Sequence, residues 1–157
     1  MPDTVRRVPA ELQIAPVSAA QLEELLPLIG DYQHFYGAEP DDERNREFFR
    51  RFLAPSEDGL LLGARGEAGF LGYACLYWHF SSTKAREAVL MNDLFVVAEA
   101  RGQGVGRALI EASAAVGRER GAAVLEWSTE PGNATAERLY DSTGAARSEW
   151  VSYEIEL

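Results

Sequence analysis

Asn92-Asp93-Leu94-Phe95-Val96-Val97-Ala98-Glu99-Ala100-Arg101-Gly102-Gln103-Gly104-Val105-Gly106-Arg107-Ala108-Leu109 decides how this chain reads. An apolar strand runs into a short turn, then a glycine cluster, then the start of an amphipathic helix. A helix that opens on glycines presents unpaired backbone N–H groups with nothing bulky before them. Those donors and the positive helix end together make a site for phosphate. The segment predicts a ligand carrying a diphosphate, with the chemistry on it supplied by the rest of the chain.

Two other phosphate motifs do not fit. A Walker-type loop needs a lysine after its last glycine, and none follows here. A dinucleotide fingerprint needs Gly-x-Gly-x-x-Gly, whereas Gly102, Gly104 and Gly106 give Gly-x-Gly-x-Gly. Glu126 does close a later apolar run, where a ribose-binding acid would be expected. However, the motif starts after residue 100 of 157, which leaves too little chain for such a sheet.

Outward from the glycines, the chain reads as alternating short elements. Residues 1–9 look like a loose tail. Glu11 to Val17 carries the alternation of a first strand, and Ser18-Ala19-Ala20-Gln21 is a capping box opening a helix on Leu22, Leu25, Leu26 and Ile29. Pro27 should kink or shorten that helix. A second helix is expected over Asp42 to Leu53, with Phe48, Phe49, Phe52 and Leu53 on one face. Gly59 to Arg65 and Phe70 to Phe80 read as a hairpin, and Ala88 to Val97 as a fourth strand. The glycine-led helix should run to about Arg120, where Arg118 and Arg120 suit its C-terminus. A fifth strand at Val124 to Ser128, a short helix at Asn133 to Ser142 and a final strand alternating Val151, Tyr153, Ile155 and Leu157 complete the order.

Composition narrows the class. One domain spanning 1–157 is expected at this length, large enough to bury a core without metals or bridges. The single cysteine, Cys75, precludes an internal disulfide and points to a reducing, cytoplasmic location. No run reaches the ~20 apolar residues of a membrane span. A net charge of −10 argues against nucleic acid and favours cationic partners. His34 and His79 are too far apart, and too far from cysteine, to suggest a metal.

The Arg-x-x-Gly-x-Gly of Arg101 to Gly106 closely resembles the acetyl-coenzyme A signature of the GNAT N-acetyltransferases. Asn133-Ala134-Thr135-Ala136-Glu137-Arg138-Leu139-Tyr140, followed by Gly144-Ala145, is similar to the family's second signature. The resemblance covers nearly the whole chain. It implies an α/β (α+β) fold, with a central mixed, mostly antiparallel sheet of six to seven strands flanked by about four helices. It also implies acetyl-CoA as cosubstrate, with Arg101, Gly102, Gln103, Gly104, Val105, Gly106 and Arg107 around its pyrophosphate. Leu94, Phe95 and Val96 would pair with the pantetheine arm, the Val96 N–H donating to the thioester carbonyl. Asn133 would bond that arm or cap its own helix, and Ala136 lies beside it.

Tyr140 matches the tyrosine set beside the coenzyme sulfur as general acid. A phenol titrates near pH 10, so it is protonated at neutrality and can donate to a thiolate. Asp93 and Glu126 are the candidates for the base that takes the amine's proton. Asn92 and Asp93 correspond to acceptor contacts in the diamine and polyamine branch, although Asn92 stands where that branch has an acid. The same Asn-Asp-Leu-Phe-Val form also looks like the branch acetylating D-amino acids and histones. Asp31, Tyr36 and the acidic, aromatic stretch to Asp42 would line the acceptor cleft; alternatively Phe35 is core and the acids serve a helix N-terminus. The expected activity is transfer of acetyl to a primary amine by direct attack in a ternary complex, on a small cationic amine or amino acid. A protein lysine or N-terminal acetyltransferase and a non-catalytic acetyl-CoA-binding module are the alternatives. A homodimer through the terminal strands is also expected.

Overall fold

The structure is a computed structural model, and it describes residues 8–157. Most of the tail expected at residues 1–9 therefore lies outside the described residues. Five strands form one sheet in chain order: β1 (Gln13–Pro16), β2 (Gly59–Gly66), β3 (Gly69–Ser81), β4 (Arg86–Val96) and β5 (Leu125–Glu126). The first four are antiparallel neighbours, and β5 runs parallel to β4. Four helices, α1 (Ala19–Phe35), α2 (Asp42–Arg50), α3 (Val105–Glu119) and α4 (Ala134–Asp141), complete the mixed α/β architecture.

Each face of the sheet carries its own core. On one, Leu62, Ala74, Leu76, Val89 and Met91 pack under Val105, Leu109 and Ile110 of α3. On the other, Leu61, Tyr73 and Cys75 pack under Leu22, Leu25 and Ile29 of α1 and Phe49 of α2. This is the period-2 alternation of buried strands with helices on both sides. Ser18 caps α1 through the capping box, and Asp41 caps α2 by accepting from the Arg44 N–H.

The sheet departs from expectation in several places. It has five strands among the described residues, not six to seven. The expected last strand does not join it: residues 145–157 carry no regular structure and are exposed throughout. β5 pairs over two residues instead of the five read from sequence. Pro27 does not end α1, because it sits on the exposed side while Leu25, Leu26 and Ile29 hold the helix to the sheet. Losing one backbone bond there is outweighed by burial.

One irregularity positions the site. Leu76 of β3 pairs with Met91, but its neighbour Cys75 pairs with Asp93, so Asn92 is an extra residue bulged out of β4. A bulge reverses which residues face which side. Val89 and Met91 face α3; past Asn92, Asp93 and Phe95 face α1 and α2 beside Cys75 and Tyr73.

Candidate active site

Asp93 is the centre of the first cavity. Only 4% exposed, its carboxylate accepts from Asn92 Nδ2 at 2.7 Å and from the Tyr73 hydroxyl at 3.3 Å. The Tyr32 hydroxyl donates to the Asn92 carbonyl at 3.3 Å, which holds the bulge to α1. Burial pushes the Asp93 pKa up to about 6, against the opposing pull of the Asn92, Tyr73 and Tyr32 donors. A carboxylate poised there is ionised at neutral pH yet basic enough to take a proton. Burial, and then the Asp93 charge, keep the Tyr32 and Tyr73 phenols protonated well past their ordinary range.

The cavity above Asp93 measures about 290 Å³ and is lined in part by Tyr32, Gln33, Arg44, Asn45 and Tyr77. Gln33 and Asn45 exchange two amide hydrogen bonds of 2.8 Å, which fixes α1 against α2. Arg44 donates through Nη2 to the Glu39 carbonyl at 2.8 Å. It has no carboxylate within salt-bridge reach among the described residues. One buried acid and an exposed arginine without a carboxylate partner among the described residues thus line the same cavity.

A second cavity of about 310 Å³ lies between the end of α1 and the loop before α4, walled by Phe35, Tyr36, Glu130 and Asn133. Phe35 is 65% exposed, so it is not core. Tyr36 packs on Tyr32 with ring centroids 4.9 Å apart. Its phenol is raised by burial, then by the charges of Glu130 and Asp93. Asp31 is exposed on α1 and lines neither cavity.

On the other side of β4, Gly102 and Gly104 adopt φ of +73° and +83°, a conformation that side chains resist. No side chain caps α3. The first helical bond runs from the Ala108 N–H to the Gly104 carbonyl at 3.0 Å, leaving the Val105, Gly106 and Arg107 donors ahead of it. The neighbouring side chains brace the loop: Arg101 Nε donates to the Val96 carbonyl at 3.0 Å, Gln103 to the Glu99 carbonyl at 2.8 Å, and Arg107 to Ser142 Oγ at 2.6 Å. Backbone, more than arginine charge, is what this loop offers an anion. A Cβ on Gly106 would stand 3.0 Å from Leu139, so that glycine lets α4 close on α3.

β4 and β5 pair at Val89–Leu125 and Leu90–Glu126 alone. From Asn92 to Val96 the β5-facing edge of β4 has no strand partner among the described residues, and Leu94, Phe95 and Val96 lie along that slot. Tyr140 lies on α4, its ring 5.5 Å from that of Trp127. Burial, then nearby Tyr36, raises its pKa, keeping it a proton donor. Asn133 caps α4 by accepting from the Ala136 N–H at 3.3 Å. Glu126 is exposed and turned to His79, Oε1 to Nε2 2.8 Å, away from the Asp93 cavity.

A glycine-opened helix start and an unpaired strand edge suit a long ligand with a phosphate end. The family model described as "Acetyltransferase (GNAT) family" matches residues 24–145. The chain belongs to the GNAT acetyltransferases. The uncharacterized N-acetyltransferase YhfO of Bacillus subtilis is 30% identical over 85% of this chain and 89% of its own. The D-amino-acid N-acetyltransferase HPA3 of Saccharomyces cerevisiae is 34% identical over 70% of each chain. A crystal structure of a probable acetyltransferase superposes with a TM-score of 0.81 at 28% identity, covering 92% of this chain and 97% of that one. As a GNAT enzyme it is an N-acetyltransferase, and the family uses acetyl-CoA as its cosubstrate.

Sequence reasoning missed Arg44, Asn45 and Tyr73 around Asp93, whereas Tyr32 and Gln33 fall in the stretch from Asp31 to Asp42 expected to line the acceptor cleft. Tyr73 carried a signal, since it shares the alternation of Cys75 and Tyr77. The others converge through the helix orientations and the Asn92 bulge, which no spacing in the sequence announces.

Proposed function

We propose that this single GNAT domain moves an acetyl group from acetyl-CoA to the primary amine of a small amino acid, by direct attack in a ternary complex. The observation that carries the reading is Asp93, turned by the bulge into a cavity beside the unpaired edge of β4. Acetyl-CoA, when bound, supplies the acyl group as an activated thioester. The backbone donors at the start of α3 suit its pyrophosphate, and the edge from Leu94 to Val96 suits its pantetheine arm. Asp93 takes the proton of the incoming ammonium, so that the neutral amine attacks. The Val96 N–H steadies negative charge on the acyl oxygen, and the Tyr140 hydroxyl gives its proton to the departing sulfur. Asp93 is preferred to Glu126 as base because Glu126 is exposed and engaged with His79.

Arg44 favours an amino acid over a diamine, the other cationic acceptor considered. An acceptor with a carboxylate can meet the guanidinium with one end and Asp93 with the other. The D-amino-acid substrate of the HPA3 relative points the same way. The buried Cys75 suits a reducing, cytoplasmic setting, and the exposed apolar residues after α4 suit a homodimer. No step in this scheme uses a metal, a nucleic acid or a membrane.

Thiol release from acetyl-CoA, read across D- and L-amino acids, their amides and diamines, tests the reading. Amino acids should turn over best, with amides raised in KM. Tyr140→Phe should lower kcat by roughly 10- to 10⁴-fold with coenzyme affinity little changed. Turnover on protein lysines alone would replace the acceptor. Tight acetyl-CoA binding without release of thiol to any amine would make the protein a regulatory module.

A further inference from the structure

Every apolar residue that lines the Asp93 cavity is aromatic. Tyr32 comes from α1, Phe48 and Phe49 from α2 and Tyr77 from β3, and no aliphatic side chain joins them among the described residues. The rings hold one another in place. Phe48 meets Phe49 and Phe52 edge to face, with centroids 5.2 and 5.4 Å apart, and Tyr77 stacks on Phe52 at 5.0 Å. Phe49 and Phe52 are buried, yet Phe48 stays 41% exposed although it touches both. An open ring fixed by its neighbours is a wall for another ring, because aromatic pairs gain more than burial alone gives.

The polar part of the same lining holds Asp93 and Arg44. Arg44 and Phe48 lie one turn apart on α2 and so share a side of the helix. An α-amino acid carries its ammonium, its carboxylate and its side chain on one carbon. The cavity sets a carboxylate, a guanidinium and a group of rings around one space. At about 290 Å³ that space is close to the lower bound for ligand cavities, roughly 300 Å³, which suits one amino acid better than a peptide. Rings attract cations as well as other rings, and charge decides between the two. The Arg51 guanidinium already lies over Phe48, 5.7 Å from the ring centroid, and Arg44 stands in the lining. A cationic side chain would be repelled by both arginines, whereas a neutral ring would not.

We infer that the acceptor amino acid is an aromatic one, its ring seated against Phe48 and Tyr77 as the specificity-determining residues. The assignment rests on the acetyl transfer proposed above and supplies the side chain which that reading leaves open.

Binding without turnover tests the ring wall apart from the chemistry. In calorimetry on the full chain, 3-phenylpropionate should bind roughly 10- to 100-fold tighter than propionate. It should also bind about two- to tenfold tighter than 3-cyclohexylpropionate, which has similar bulk but no π face. Phe48→Ala should remove most of the first preference. Phe48→Leu, which keeps an apolar side chain on α2 and should melt cooperatively, should remove most of the second. In turnover with acetyl-CoA, phenylalanine and tryptophan should exceed alanine and arginine in kcat/KM by roughly tenfold or more, and both variants should narrow that ratio mainly through KM. Equal binding of the three carboxylates, or preferences that survive in both variants, would overturn the assignment. Amino acids acetylated with no preference for a ring would overturn it as well, and leave acetyl transfer standing. Ring-selective binding with no acetylation of any amine would support the ring wall and count against acetyl transfer.

Discussion

Strands β2 to β4 are buried between two helical layers, whereas β5 and α4 meet the core on one side only, through part-buried residues. Leu61, Ala74, Cys75 and Leu76 are fully buried between the two helical layers. At the other end of the sheet β5 is two residues long, and α4 has no fully buried residue. The Asp93 side, proposed to take the acceptor, is therefore fixed by this chain's own packing. The α4 side, proposed to take the coenzyme, has less of its own packing to hold it. A scaffold can be rigid where a proton must be moved and yielding where a large ligand must enter.

The largest effect should come from the rigid half. Asp93→Asn should lower kcat/KM by about 10²- to 10⁴-fold through loss of the base. The same change should stabilise the fold at pH 8. The folded pKa, about 6, lies above the ordinary 3.8. Between those values the unfolded chain has lost a proton that the native state keeps, so stability falls as pH rises and the penalty is complete above about 6. Asparagine carries no such charge, and the gain has an upper limit of roughly 3 kcal/mol. Denaturant titrations at pH 4 and pH 8 check it; an equal effect at both pH values would place the charge in water instead of in the core.

A pair of truncations compares the two halves directly. Leu61→Ala should cost about 2–5 kcal/mol, since the residue is wholly enclosed. Leu139→Ala on α4 should cost no more than about 1 kcal/mol in dilute protein, because water already reaches that site. Urea midpoints decide it, and equal losses would mean that α4 is as firmly packed as the sheet.

The smallest effect concerns long-range attraction. With a net charge of −10, cationic acceptors should be drawn to the protein over about a Debye length, ~10 Å at 0.1 M salt. Raising ionic strength should lower kcat/KM for a diamine a few-fold and leave a zwitterionic amino acid almost unchanged. Equal salt slopes would remove net charge from the account of acceptor choice.

Most elements were legible because their physics is local. Alternation placed β1 to β4 within a few residues, a capping box opened α1, and glycines opened and closed α3. Legibility ended where the outcome depends on something distant. Pro27 looked like a helix breaker, but the packing of α1 on the sheet outweighs one lost backbone bond. The last strand looked real by its alternation, yet a strand also needs a pairing edge, and residues 145–157 join none among the described residues. In the site, Asp93, Tyr140 and the glycine loop were read from motif resemblance. Arg44 and Asn45 were not, because a helix sequence does not state which cavity a given turn will overlook.

The extra residue at Asn92 makes the chemistry a matter of counting. Every residue of β4 beyond that point is shifted by one step relative to β3, so the reading frame of the strand changes between Met91 and Asp93. Exchange of Asn92 for another residue would leave the frame intact. Its deletion would close the bulge and leave Asp93 opposite Cys75, still facing α1 and α2, but without the Asn92 Nδ2 donor to its carboxylate and the Asn92 carbonyl that receives the Tyr32 hydroxyl. The acid would keep its face of the sheet and lose two of the contacts that set its surroundings, through length alone.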